Sequence, residues 1–326
     1  MTFRPLIAFL MVAAAVSLPV PARGQALSVY DAFGAGELDP VRWRGYEYTL
    51  DGTSSRTVAL FGGYDDAPGY SGESFYGPSS IGESRRRVLN RQAQVALTSS
   101  KRGGFQGTTS HGKARAGLRM NHPGLADSAL VTTLRASVTV AGVSAEPPDP
   151  VTENCGWYNS ARAQVFGHFF NDGSSAGPGD LTGDVFASVS LERRVEETSA
   201  GPVVRDVVEA RVGRCNTPEC RMTWEAILFT RTWTVGAAHV LTITWQPDAD
   251  RFQFTVSGGG VAVESRTVAY TVADSAPPRG GAYDLRVESQ PGFCGRTGEE
   301  LIWQTVSIDA RFDDVQLNSA AASAAR

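Results

Sequence analysis

The chain has 326 residues, of which 42% are hydrophobic and 20% are charged, and its formal net charge is −4 at pH 7. This length can hold one large all-β domain or two small domains. The excess of acidic over basic residues argues against general binding to nucleic acid.

The N-terminal segment has the pattern of a signal peptide. Arg4 precedes an apolar run from Leu6 to Leu18, and small residues end at Ala26, before the expected cleavage point. A membrane anchor needs about 20 apolar residues, whereas this run is shorter and ends at Pro19. We therefore expect residues 1–26 to be removed and the mature chain to be exported to the periplasm or the extracellular space. No later stretch is long and apolar enough to span a bilayer.

Apolar and polar residues alternate along most of the remaining chain, which predicts β-strands rather than helices. The stretch Gly63–Gly82, rich in Gly, Ser, Pro and Tyr, is instead predicted to be a long loop. Its rings at Tyr64, Tyr70, Phe75 and Tyr76 suit either a surface that stacks on a ligand or a solvated insertion. The predicted strands lie near residues 88–97, 114–120, 130–140, 161–170, 185–191, 203–212, 222–229, 241–245, 252–256, 261–272, 283–288 and 306–317.

The clearest single element is a hairpin within His239–Ser257. Two runs of alternating apolar residues are joined by a Pro-Asp-Ala-Asp turn, which is a strong hairpin signal. One face of each predicted strand is expected to lie in a core and the other to face water or a ligand. The apolar faces carry Leu241, Ile243, Trp245, Phe252, Phe254 and Val256.

The two ends of the mature chain carry a family resemblance. Tyr30–Trp43 reads YDAFGAGELDPVRW, and Val306–Leu317 reads VSIDARFDDVQL, with a change of phase at Asp313–Asp314 that suggests a β-bulge. These two segments and the central hairpin resemble the concanavalin A-like lectin/glucanase superfamily. The resemblance implies one sandwich domain of two antiparallel sheets.

The predicted fold is therefore all-β, a single antiparallel β-sandwich (jelly roll) of about twelve strands. The domain spans residues 27–318, because no linker-like composition divides the strands. The last residues, 319–326, are rich in Ala and Ser and are expected to form a disordered tail.

Four cysteines in an exported chain indicate two disulfides. Cys215 and Cys220 flank the turn Asn-Thr-Pro-Glu, so we pair them, which leaves Cys155 with Cys294. Three pairings are formally open. A metal site would need a second closely spaced cysteine pair or a nearby histidine, and the sequence around Cys215 offers neither.

The predicted strand at residues 161–170 has two unlike faces. One face is made of small and apolar residues, and the other carries Arg162, Gln164, Phe166, His168 and Phe170. Polar groups alternating with rings suit a sugar groove, because hydroxyls need hydrogen bonds and the apolar sugar face needs a ring. The alternative is a second, partly buried face that loops cover.

The loop between this strand and the next is rich in oxygen ligands. Asn171, Asp172, Asp180 and Asp184 have the side chains that calcium prefers, and several members of the superfamily hold structural calcium. A structural calcium is therefore one interpretation of this loop, and it is the one cofactor that the sequence suggests. The spacing does not match an EF-hand, and Asn, Asp and Gly are also ordinary turn residues.

The segment from Arg85 to Arg119 contains nine basic residues and no acidic residue. Arg115 and Arg119 fall on the same outward face of a predicted strand. They suit an anionic polysaccharide or a lipid headgroup, or else they pair with acidic neighbours in the same sheet.

Catalytic patterns are weak in this sequence. Laminarinase-type glycosidases of the superfamily carry Glu-x-Asp-x-Glu on one strand, and this chain does not. No Gly-x-Ser-x-Gly nucleophile elbow is recognised in the sequence. The acidic residues of the central strands are scattered over three strands at Asp184, Glu192, Glu209 and Glu225.

The expected function is an exported, non-catalytic module that binds a polysaccharide or a cell-surface glycan. One alternative is a structural, envelope-associated protein without a small ligand. Another is a polysaccharide hydrolase or lyase with an unfamiliar arrangement of residues.

Overall fold

Strands account for nearly all of the regular structure of the protein. A computed structural model describes residues 26–49, 56–58, 74–77, 80–102, 114–125, 131–147, 155–157, 159–218, 220, 222–280, 283–294 and 303–325. The segment that reads as a signal peptide, residues 1–25, lies outside the described residues. Within the described ranges, no helix has the length and apolar character needed to cross a bilayer.

The strands are β1 Leu27–Asp31, β2 Trp43–Thr49, β3 Arg56–Val58, β4 Ser74–Gly77, β5 Ser80–Leu89, β6 Gln92–Arg102, β7 Ala114–Met120, β8 Thr133–Ser144, β9 Cys155–Trp157, β10 Ser160–Asn171, β11 Asp184–Thr198, β12 Gly201–Cys215, β13 Met222–Leu228, β14 Ala238–Gln246, β15 Arg251–Gly258, β16 Val261–Ala269, β17 Tyr283–Gln290, β18 Phe293–Cys294 and β19 Trp303–Asn318. The helix α1 spans Ser319–Ala324, and 3-10 turns occur at Pro123–Leu125 and Pro247–Ala249.

The strands form two large antiparallel sheets. The first sheet has the order β16-β15-β14-β8-β19-β6-β5-β4, with β1 also paired to β19, and the second has the order β13-β12-β11-β10-β17-β7-β2-β3. A small third ladder joins β18 to β9. The all-β antiparallel sandwich is thus confirmed. Short edge segments raise the number of strands above the dozen that we expected from the sequence.

The predicted hairpin is the pair β14–β15, with the 3-10 turn at Pro247–Ala249 between its strands. Trp245 and Phe254 are buried, as the alternation predicts. Asp250 adopts a left-handed backbone conformation with φ 46°, which ends the turn and lets the chain reverse. The inner face of this hairpin contributes six side chains to the hydrophobic core between the two sheets, those of Leu241, Ile243, Trp245, Phe252, Phe254 and Val256.

A β-bulge in β10 directs two consecutive side chains of the second sheet into the core. The pairing of β10 with β11 shifts between His168 and Phe170, so Phe169 and Phe170 are both buried in the core. Phe170 stacks on Trp245, with ring centroids 5.3 Å apart. This corrects the strict alternation of the sequence analysis, which placed Phe170 on the polar side of the strand. The physical reason is that a bulge adds one residue to one strand and changes its phase.

The bulge predicted near the C-terminus is confirmed. The pairing of β19 with β8 shifts between Asp313 and Gln316, and Asp314 has a positive φ of 47°.

The prediction of a disordered tail is wrong for the described residues, because α1 begins at Ser319 directly after β19. Ala321, Ala322 and Ala325 are buried in the core cluster. Alanine has the highest helix propensity, and its small side chain fits against packed strands.

The stretch Gly63–Gly82 also differs from the predicted loop. Ser74–Gly77 forms β4 at the edge of the first sheet and pairs with the start of β5. Only two residues separate β4 from β5 in the sequence, which is enough for a hairpin connection. A segment that is rich in turn residues therefore still forms paired strands.

We expect the substitution Phe252→Ala to lower the free energy of unfolding by about 3–5 kcal/mol, because it leaves a cavity in the core. The Phe252 ring is buried and lies 5.1 Å from Phe169 and 5.7 Å from Tyr270, between ring centroids. Urea denaturation followed by tryptophan fluorescence measures the change. Gln253→Ala, the next residue on the outer side of the same strand, should change stability by less than about 1 kcal/mol. Equal effects of the two variants would contradict this placement of the core.

Candidate functional site

The outer face of the second sheet is polar, although most of its side chains are buried. The alternation along each strand sends apolar residues to the core and polar ones to this side. We call this surface the polar face. It is made of Arg115, Arg119, Arg162, Gln164, Phe166, Ser188, Ser190, Glu192, Arg194, Glu209, Arg211, Asp284, Arg286 and Glu288.

One row of this face alternates positive and negative charges across four strands. The register places Arg115 opposite Glu288, Glu288 opposite Arg162, and Arg162 opposite Glu192. Glu288 accepts hydrogen bonds from both Arg115 and Arg162. Buried charges are tolerated when they are paired in this way. The row therefore holds β7, β17, β10 and β11 in register through its side chains.

In the neighbouring rows of side chains, Arg286 contacts Asp284, Gln164 and Phe166. Asp284 is paired with Arg119 at 3.1 Å and lies 3.8 Å from Arg286. The Arg286 guanidinium lies 3.6 Å from the Phe166 ring centroid, within cation–π range, and donates to Gln164 Oε1 at 3.4 Å. The Phe166 ring thus supports an arginine, whereas the sequence analysis expected it to stack on a sugar. Gln164 Nε2 is buried and has no hydrogen-bond partner among the described residues.

The far end of the polar face collects arginines around two carboxylates. Glu209 accepts from Arg194 Nη1 at 2.9 Å and from Arg211 Nε. Glu192 Oε2 lies 3.9 Å from Arg162, 4.0 Å from Arg194 and 3.7 Å from Arg211. Burial, together with the neighbouring Arg211 charge, lowers the pKa of Arg162 to about 9, so its guanidinium is still charged at pH 7.

This arrangement brings together carboxylates that looked scattered along the sequence. Glu192 Oε2 and Glu209 Oε2 lie 4.0 and 2.9 Å from the same nitrogen of Arg194. The separation of these two oxygens is at most the sum of those distances, about 7 Å, and so does not exceed the upper limit of roughly 9.5 Å for glycosidase carboxyl pairs.

His168 lies at the edge of the polar face and is held by Asp184. Its Nδ1 is 3.2 Å from Asp184 Oδ2, and its ring lies beside Phe166 and Phe186. Asp184 also accepts hydrogen bonds from the backbone amides of Arg279 and Gly280 and from the side chain of Asn171. Burial alone would raise the pKa of Asp184, but the contact with His168 and the hydrogen bonds from Asn171 and Arg279 outweigh it and lower the pKa. His168 therefore belongs to a packed junction of loop and strand.

The side-chain oxygens of the four predicted calcium ligands accept hydrogen bonds from other groups of the protein. Asp172 accepts from Arg214 Nε at 2.6 Å, and Asp180 accepts from the backbone amides of Ala176 and Thr182. Asn171 and Asp184 are joined by the hydrogen bond given above. In the part of the chain that the structure describes, no group of three or more His, Cys, Asp or Glu could hold a metal. A cation would have to replace N–H donors at these oxygens, so the residues as arranged do not fit calcium, and the calcium stays a prediction.

A serine motif also lies in this loop. Gly173–Gly177 matches the letters Gly-x-Ser-x-Gly, but the loop leads into β11 and not into a helix. Ser175 Oγ donates to the carbonyl oxygens of Gly177 and Asp180. The serine is therefore engaged in a turn, and the geometry is not that of a nucleophile elbow.

The remaining predicted residues fall in three places. Cys215 and Cys220 form the predicted disulfide, with Cα atoms 4.3 Å apart. Cys155 lies opposite Cys294 in the β9–β18 ladder, which is the placement that the second predicted disulfide requires; that bond stays a prediction. Tyr76 lies on β4, at the edge of the first sheet, apart from the strands of the polar face. Tyr70 lies outside the described residues.

Sequence reasoning missed half of the polar face, although a signal was present. Charges of alternating sign recur at every second residue in Asp284-x-Arg286-x-Glu288 and in Glu192-x-Arg194-x-Glu196. In a strand these residues share one face, so such a pattern predicts a charged outer surface. Which carboxylate meets which arginine depends on the register between strands, and the pattern within one strand does not contain it.

Comparisons with known proteins find similar solved structures at low sequence identity. The scan against protein-family models finds no match, and neither does the search of curated proteins. Lectin II from Ulex europaeus is a similar solved structure, with 13% identity and a TM-score of 0.29 over 72% of this chain and 92% of that chain. LamAcat from Zobellia galactanivorans has 12% identity and a TM-score of 0.36 over 87% and 95%. The marine PL-14 alginate lyase from Aplysia kurodai has 10% identity and a TM-score of 0.35 over 72% and 86%.

At such low identities and TM-scores, the likeness assigns no role to any residue of this chain. The polar face is therefore interpreted below from its own contacts.

We expect Asp184→Asn to lower the free energy of unfolding at pH 7 by about 2 kcal/mol, because the amide cannot accept from all of the donors that surround the carboxylate. The pKa of Asp184 is depressed in the folded state, so its contribution is complete above the unfolded-state pKa of about 3.9 and is lost as the pH falls through the lower folded-state pKa.

Urea denaturation of both proteins between pH 7 and pH 2.5 tests this expectation. The stability gap between wild type and variant should narrow below about pH 4. Asp248→Asn, at an exposed turn residue, should leave stability within about 0.5 kcal/mol of the wild type. A gap for Asp184→Asn that stays constant with pH would contradict the role of its charge.

Proposed function

We propose that the protein is an exported, non-catalytic module that binds carbohydrate on its polar face. The observation that carries the proposal is the row of polar side chains along β10 and its neighbours, with a buried amide donor, Gln164 Nε2, that has no hydrogen-bond partner among the described residues. Buried polar groups in native proteins normally have partners. A ligand hydroxyl or carboxylate would supply one here.

The chemistry of this surface suits a glycan. Ser188, Ser190 and Gln164 offer hydroxyl and amide groups, and the arginines offer planar sets of N–H donors. Arg119 has a side chain that is 39% exposed, and those of Arg194 and Arg211 are partly exposed, so the face is open to a ligand at these points. Because the ion pairs already hold the side chains in place, little conformational entropy would be lost on binding.

Export is part of this proposal. The supporting features are the signal-like N-terminus and the Cys215–Cys220 disulfide, a bond that persists mainly in oxidising compartments.

Polysaccharide hydrolysis is the second candidate, and the close approach of Glu192 and Glu209 favours it. Hydrolysis by such a pair requires one carboxyl group that donates a proton to the leaving oxygen. Both oxygens of Glu209 already accept from arginines, which suits a fixed structural charge better than an acid. Binding without cleavage is therefore the function that the geometry supports best.

We expect Arg119→Ala to weaken glycan binding about tenfold, because it removes an exposed guanidinium that donates from the polar face. A glycan array first identifies ligands of the wild-type chain, and isothermal titration calorimetry then compares the variants.

Arg266→Ala is the matched control for this substitution. Arg266 is 37% exposed and is paired with Glu264, much as Arg119 is 39% exposed and paired with Asp284, but it lies on the first sheet. Binding that both substitutions weaken equally would place the ligand elsewhere. A folded protein that binds no glycan on a broad array, acidic glycans included, would overturn the proposed function.

A further inference from the structure

We propose that β16 is the docking edge for a second copy of this chain, and that the two copies pair antiparallel through this strand about a two-fold axis at Ser265. The strand belongs to the first sheet, whereas the polar face belongs to the second. The inference therefore goes beyond the proposed function, and neither depends on the other.

Of the four strands that end the two large sheets, β16 is the longest. It has nine residues, and among the described strands it pairs with β15 alone. The other three, β4, β13 and β3, have four, seven and three residues. A long edge strand presents a row of backbone donors and acceptors to which another strand can be added.

The sequence of β16 favours such pairing. Natural proteins discourage pairing at an edge with proline, lysine or a very short strand, and β16, which reads VAVESRTVA, uses none of these. Its outer face instead exposes Val261 and Val263, at 52% and 67%, and Val263 is the most exposed large hydrophobic side chain among the described residues. A strand added at this edge would cover part of that apolar surface.

The strand is complementary to its own reversed copy. An antiparallel pair centred on Ser265 places Glu264 opposite Arg266 of the second copy, and Val263 opposite Thr267 of the second copy. The two-fold axis repeats each of these contacts, as in an isologous dimer. Opposite charges and β-branched side chains stabilise a pair of strands when they face each other in this way.

The two charges also select one register. Arg266 and Glu264 lie opposite the core residues Phe254 and Val256, so both charges are on the inner side of the sheet. Inward charges normally discourage edge pairing, and an axis at Glu264 or at Arg266 would place like charges opposite each other. The axis at Ser265 places unlike charges there, so the same two residues oppose those registers and favour this one.

The contacts that β16 already makes are compatible with this pairing. Glu264 accepts from the amide and the hydroxyl of Thr230, both at 3.0 Å, and Arg231 donates to the carbonyl oxygen of Ala262 near the start of the strand. Arg266 Nη2 lies 2.7 Å from Glu264, and the Arg266 side chain is 37% exposed. Because a guanidinium has several N–H donors, Arg266 can contact its own Glu264 and that of the second copy together.

Sedimentation equilibrium of the wild-type chain at micromolar concentrations tests the proposal. We expect a monomer–dimer equilibrium in the wild type. Arg266→Glu places acidic groups opposite each other, and Glu264→Arg places guanidiniums opposite each other, so each variant should weaken the dimer at least about tenfold. A wild-type chain that stays monomeric up to about 100 μM would overturn the proposal.

A mixture of the two variants in equal amounts is the sharper measurement. One variant then supplies two guanidiniums and the other two carboxylates at the centre of the strand, so the mixed pair regains opposite charges. We expect a heterodimer within about tenfold of the wild-type affinity. Damage to the fold would not be repaired by mixing, and folded variants that remain monomeric together would overturn the assigned register.

The matched control is Arg205→Glu. Arg205 is 56% exposed and is paired with Glu196 on the second sheet, and the substitution changes the net charge as Arg266→Glu does. Its dimer affinity should equal that of the wild type, and an equal loss in both variants would place the interface elsewhere.

Ser265→Cys tests the axis without changing any charge. Across an antiparallel pair, the two introduced cysteines would have Cα atoms about 4.5–5.5 Å apart, within the range of a disulfide. Mild oxidation should therefore give a covalent dimer on non-reducing electrophoresis. Thr255→Cys, directly beside Ser265 on β15, is the control, because its two copies lie three strand spacings apart, about 14 Å. No cross-link from Ser265→Cys, or equal cross-linking of both variants, would overturn the proposed axis.

Discussion

The structure depends on the pleat of β10, which sends neighbouring side chains to opposite sides of the second sheet. On one side Ala163 and Val165 are buried in the hydrocarbon core, and on the other Arg162 and Gln164 belong to the polar face. Moving the strand by one residue would put charge into the core and apolar groups outside. Core packing and the charged face therefore enforce the same register, and neither can change alone.

Burial makes the ionic contacts of the polar face costly to break. Glu288 accepts from two arginines, so its removal would take a hydrogen-bond acceptor from both guanidiniums in a place that water hardly reaches. Such a network adds little net stability compared with a packed apolar surface, but it holds its side chains in one arrangement. A preformed set of donors is what a binding surface needs, because a ligand then meets side chains that are already ordered.

The loop end of the second sheet is secured by different means. Phe186 lies over Gly213, where an added Cβ would stand 2.0 Å from its ring, and the Cys215–Cys220 disulfide closes the next turn. Asp184 ties β11 to the backbone at Arg279 and Gly280. The hydrogen bonds of this loop thus join β11 to the segment at Arg279 and Gly280. Asp184 of this loop contacts His168 at the edge of the polar face.

The sequence by itself determined the class of fold, the hairpin around Trp245 and the bulge near Asp314, because each depends on local alternation or on a short turn. It favoured the pairing of Cys215 with Cys220 but left three pairings open. It also indicated that Arg162 and Gln164 face away from the core. Only the tertiary structure decided that Arg162 meets Glu288 and Glu192, that Phe170 turns inward, and that the alanine-rich end is a packed helix. These features depend on which strands become neighbours and in what register. When two paired strands lie more than a hundred residues apart in the sequence, the residues of one strand do not show which strand it will pair with. The alternation within a strand determines only which side of the sheet each side chain faces.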